Sequence, residues 1–135
     1  MSTKIFVNLP VQDLDRSVAF FTKLGFSFNP DFTDENATSM VIGEDIFVML
    51  LVNKFFQTFT PKPVADAHSS TEVITSLSVD SKERVDELLD IAFSAGAKSS
   101  SETQDFGWMY SRGFEDPDGH LWEFAYMDSN AIPPG

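Results

Sequence analysis

The chain has no cysteine, which removes disulfide frameworks, thiolate nucleophiles and thiolate metal sites from consideration. Histidine is almost as scarce, with His68 and His120 the only imidazoles in 135 residues. Positive charge is short as well. Nine basic residues stand against 21 acidic ones, a formal charge of −12. No run of Lys or Arg gathers anywhere, which argues against a nucleic acid or an anionic membrane surface as partner. No apolar run approaches the roughly 20 residues needed to span a bilayer. Met1-Ser2-Thr3-Lys4 leads into a strand pattern rather than a signal-peptide apolar block, so a cytoplasmic location is the expectation. What remains is a globular composition at a length suited to one compact domain, residues 1–135.

The richest signal in what is present lies at Phe114 to Phe124, FEDPDGHLWEF. Pro117 presets φ, Asp118 is placed to close an Asx turn and Gly119 can take a positive φ, so the chain reverses into a strand from Leu121 to Met127. Side chains alternate along a strand. Trp122, Phe124 and Tyr126 therefore share one face, while Leu121, Glu123 and Ala125 share the other. A carboxylate among such small and apolar neighbours needs a partner or a raised pKa, which makes Glu123 the first candidate for chemistry.

The rest of the chain reads as one supersecondary unit used twice. Ile5 to Val11 has strand character, Asp13 stands at a helix N-cap position, and Leu14, Val18, Phe21 and Leu24 recur at helical spacing until Gly25. Strand-like runs follow at 26–28, 38–42 and 46–52, which makes the first module, about 4–53, a β-α-β-β-β unit. Residues 54–71 form the connection: a short amphipathic helix reaching about Thr60, then a segment with Pro61, Pro63 and His68. The pattern then restarts over about 72–127. A strand from Glu72 to Val79 precedes a helix from Ser81 with Val85, Leu88, Leu89, Ala92 and Phe93 on one stripe, and further strands lead to the terminal hairpin. Residue arithmetic supports duplication: Leu9, Val11, Asp13 and Arg16 lie over Leu77, Val79, Ser81 and Arg84, each 68 positions later.

Leu9 to Phe26, LPVQDLDRSVAFFTKLGF, together with Phe114 to Phe124, resembles the opening and closing motifs of the vicinal-oxygen-chelate superfamily of glyoxalases, bleomycin- and fosfomycin-resistance proteins and extradiol dioxygenases. The resemblance spans essentially the whole chain. It implies an α+β fold in which two βαβββ modules form a curled mixed sheet around a cavity, within a homodimer. In the superfamily's enzymes it further implies a divalent ion held by four inward side chains, one from the first and one from the last strand of each module. Those positions fall at Phe6, at or next to Met49, at Ile74 and at Glu123. Only Glu123 is a ligand type. His68 in the connection and His120 in the turn read as solvated side chains. The expectation is therefore no metal and no cofactor.

Three functional readings follow. The first is a metal-free module that binds a small molecule, partly aromatic or amphipathic, through Phe6, Asn8, Met49, Ile74, Trp108, Tyr110 and Arg112; the last three share parity and could present an aromatic face and a cation. The second is an enzyme using Glu123 as general base in an apolar pocket, with Arg112 or Tyr110 as electrophilic partner. The third is a divalent-metal lyase, isomerase or dioxygenase whose ligands are offset by a residue or come from a second subunit. The competing assignment for Arg112 is an ion pair with Glu123 or a surface acid, and for Trp108 a place in the core.

Overall fold

The computed structural model describes residues 2–130. The chain divides into two compact units, Met1–Asp66 and Ala67–Gly135. In the first, strand β1 (Ile5–Val11) leads to helix α1 (Leu14–Lys23), then β2 (Ser27–Asn29), β3 (Ala37–Gly43), β4 (Ile46–Val52) and a short helix α2 (Asn53–Gln57). Strand order is β1-β4-β3-β2, with β1 parallel to β4 and the other pairs antiparallel. The second unit repeats this plan. Strand β5 (Ile74–Ser78) is followed by α3 (Lys82–Ser94), two-residue strands β6 (Lys98–Ser99) and β7 (Gln104–Asp105), and the hairpin β8 (Met109–Glu115) and β9 (Leu121–Met127). Its main order, β5-β9-β8-β6, again pairs first and last strands in parallel, and β7 also pairs with β8. The fold is thus α+β with two mixed sheets.

The matched residues of the two halves do matched work. Asp13 accepts a hydrogen bond from the Arg16 N–H at 3.2 Å, and Ser81 accepts one from the Arg84 N–H at 3.0 Å, so each side chain caps the helix that follows its unit's first strand. Each helix then buries one stripe against its own sheet. Leu14, Phe20 and Phe21 of α1 are buried with Leu9, Val11, Met40, Val48 and Leu50, and Val85, Leu88, Leu89 and Ala92 of α3 are buried with Phe114, Trp122 and Phe124.

The turn between β8 and β9 is organised by Asp116 rather than by Asp118. One Asp116 carboxylate oxygen accepts from the backbone N–H groups of Asp118, at 2.8 Å, and His120, at 3.0 Å; the other accepts from the Trp122 indole N–H at 2.9 Å. Burial pushes this carboxyl above its ordinary range, opposed by the positive field of His120 and by the Trp122 and Asp118 donors. Gly119 has φ +86°, and a side chain there would also collide at 2.8 Å with the backbone of Ala67 and His68 and with the His68 ring. His68 therefore belongs to the second unit's packing and is not part of a free connection.

Candidate functional site

Each sheet has one face against its helix and one face turned from it, and strand register assigns every candidate residue to a face. In the first unit Phe6 pairs with Phe47, Asn8 with Met49, and Met49 in turn with Ser39, so these residues occupy the face away from α1. Phe6 and Phe47 stack with centroids 5.0 Å apart and planes 14° from parallel. Phe6 remains 52% exposed. Lys4 places its ammonium 5.6 Å from the Phe47 ring centroid while pairing with Asp45 at 3.0 Å. The structure thus brings Phe6, Asn8 and Met49 together beside an aromatic pair, of which Phe47 was not anticipated. Its parity with Met49, two residues on, was the available signal.

In the second unit the face away from α3 includes three rows that run on from β5. Ile74 pairs with Leu121 and Leu121 with Glu115; Ser76 pairs with Glu123 and Glu123 with Gly113; Ser78 pairs with Ala125 and Ala125 with Ser111. Glu123 is half-buried. Among the described residues no hydrogen bond or ion pair reaches its carboxylate. On the β8 side Gly113 leaves room for the loop after β6, since a Cβ at Gly113 would lie 2.6 Å from the Ser100 hydroxyl and 3.3 Å from that of Ser101. Glu123 therefore has Ser76 beside it on β5 and, across Gly113 on the β8 side, the serines of the loop after β6.

Tyr110 and Arg112 do not join this face. Their register partners are Tyr126 and Phe124, which puts them on the side of α3, where Asp86 accepts from the Tyr110 hydroxyl at 2.6 Å and from the Arg112 guanidinium at 2.8 Å. The Arg112 guanidinium also sits 6.0 Å from the Phe93 ring. The Tyr110 hydrogen bond, helped by Arg112, holds the Asp86 carboxyl below its ordinary range, and the same bond to Asp86 raises the Tyr110 phenol above its own. Trp108 precedes β8 and is half-buried, stacked on the exposed Phe106 with centroids 6.4 Å apart. Arg112 thus takes the ion pair with an acid of α3, and Tyr110 and Arg112 turn their ring and cation toward α3 rather than toward the face that carries Glu123.

Comparisons with known proteins agree with this geometry. Residues 3–43 match the family model described as bleomycin resistance protein-like N-terminal. A hypothetical protein from S. aureus is 32% identical with a TM-score of 0.79, over 93% of this chain and 94% of that one. A glyoxalase/bleomycin resistance protein/dioxygenase family enzyme from Burkholderia phytofirmans PsJN superposes with a TM-score of 0.77 at 17% identity, over 93% of this chain and 99% of that one. The fosfomycin resistance protein FosX from Listeria monocytogenes does so at 0.69 and 17%, over 96% and 97%. No curated protein matches the sequence. Paired βαβββ units with capped helices on one side of each sheet define a glyoxalase-like protein. The chain belongs to the vicinal-oxygen-chelate superfamily of glyoxalase, bleomycin-resistance and dioxygenase proteins.

The side chains at the four positions where the motif resemblance expects metal ligands do not suit a divalent ion. A phenyl ring committed to stacking at Phe6, a thioether at Met49 and a hydrocarbon at Ile74 offer no oxygen or nitrogen donor, and Glu123 alone cannot complete a coordination shell. Among the described residues no group of three or more His, Asp or Glu is placed to hold a metal. No helix among them is long and apolar enough to cross a membrane.

Proposed function

We propose that this protein is a metal-free small-molecule binding module, holding a partly aromatic or amphipathic ligand without making or breaking a bond. The observation that carries this reading is the Phe6–Phe47 stack, with Phe6 left 52% exposed on the sheet face turned from α1. A phenyl ring so placed gains little by facing water and has its outer face free for a planar group. Asn8 supplies an amide beside it and Met49 an adaptable thioether. Ile74, 60% exposed, and Trp108 offer apolar surface in the second unit. A cytoplasmic homodimer belongs to the same reading, and native mass spectrometry of the intact assembly tests it.

The experiment is a thermal-shift and tryptophan-fluorescence screen of planar aromatic metabolites against the intact protein and its Phe6→Ala variant. Binding that weakens roughly tenfold in Phe6→Ala, about 1.4 kcal/mol, supports the reading. A panel with no response rejects it. Use of Glu123 as general base is disfavoured by one observation, that Tyr110 and Arg112, its intended electrophilic partners, are engaged with Asp86 on the opposite face of the sheet. For a divalent-metal enzyme, metal analysis of protein purified without chelator or affinity tag decides. Below about one ion per ten chains is expected, because true sites of this kind bind tightly, and a stoichiometric ion would sink the metal-free assignment.

A further inference from the structure

From the second unit we infer that Glu123 and the serines around it form a site for the organic ammonium group of an amphipathic primary amine. This rests on the binding reading above and narrows its ligand class. A half-buried carboxylate loses part of its hydration and recovers it only through a donor. Glu123 has none among the described residues, and the basic side chains of its unit are committed elsewhere or remote in register. Arg112 pairs with Asp86, Arg84 with Glu87, and Lys82 lies between Asp105 and the Tyr110 ring. Lys98 stands opposite Glu115, one row and two strands away.

The flanking chemistry is what an ammonium requires. Such a group has three N–H donors and no acceptor. Ser76 faces Glu123 from β5, and Ser100 and Ser101 lean over Gly113 on the other side, so one donor can meet the carboxylate while the others meet hydroxyl oxygens. An anionic ligand is repelled by the same carboxylate and by a chain of net charge −12, which concentrates cations at its surface instead. The adjoining row holds Ile74 and Leu121, and the far end of the sheet pairs Met109 with Met127. These side chains give an alkyl or aryl body an apolar bed on the same face.

The test uses n-hexylammonium, hexanol and hexanoate as probes of one length and three charges, followed by NMR chemical-shift titration of the intact protein. Hexylammonium binding at residues 76, 121 and 123, weakened by added salt and reduced roughly tenfold or more in Glu123→Gln, supports the site. A second variant, Ser76→Lys, tethers an ammonium opposite Glu123; it is expected to abolish hexylammonium binding and raise Tm. Equal binding of hexanol, or unchanged hexylammonium binding in Glu123→Gln, overturns the inference. Neither result touches the aromatic-ligand screen with Phe6→Ala, so failure here is distinguishable from failure of the binding reading itself.

Discussion

Asp116 shows how much one side chain can determine. Its two oxygens take three N–H donors inside a turn where it is only 5% exposed. Asp116→Ala would leave those donors without their acceptor, at a cost on the order of 3 kcal/mol, read as a lower urea midpoint with an unchanged m-value. Asp86 is the contrasting case. Its side chain is 49% exposed, so its links to Tyr110 and Arg112 are discounted by solvent to about 0.2–1 kcal/mol. Because Asp86 titrates below its ordinary value when folded, its contribution is complete above the unfolded carboxylate pKa and fades as pH falls through the lower folded one. Wild type should therefore exceed Asp86→Asn in stability at neutral pH, and the two should converge on acidification, as paired thermal melts across pH would show.

At the scale of elements, the helix caps are the simplest quantities to test. Ser81→Ala removes the side-chain acceptor that starts α3 and should cost about 1 kcal/mol, lowering Tm by several degrees. The same caps were the most legible part of the sequence, since Asp13 and Ser81 each stand just ahead of an apolar stripe of helical period. Strand identity was legible for the same reason. Which face Tyr110 and Arg112 would occupy was not, because faces on a hairpin depend on register, and register depends on where the turn closes. The Asx role expected of Asp118 belongs to Asp116, and Glu115 then pairs with Leu121. From that pairing Gly113, and not Arg112, must stand opposite Glu123. The glycine that admits the Ser100 and Ser101 hydroxyls also escaped notice, since close approach between a loop and a strand leaves no periodic mark.

For the molecule as a whole, the excess of acid sets the terms. Self-repulsion at −12 opposes compaction at low ionic strength. Raising NaCl from about 10 to about 150 mM shortens the screening length from roughly 30 to 8 Å, and Tm should rise by a few degrees, whereas sorbitol of equal osmolarity should not reproduce the dependence on ionic strength. Membership of the superfamily was legible from two motifs at opposite ends of the chain. The chemistry at the corners was legible only as residue types, because what surrounds Glu123 is assembled from β5, β8 and the loop after β6.

The seat that Gly119 makes for Ala67 and His68 joins the beginning of the second unit to its last hairpin across about fifty residues of sequence. During synthesis the leading segment of that unit must wait, unseated, until the final strand pair has left the ribosome. The hydrogen that stands in place of a side chain on the Gly119 α-carbon is thus where the last-made part of the unit closes over the first.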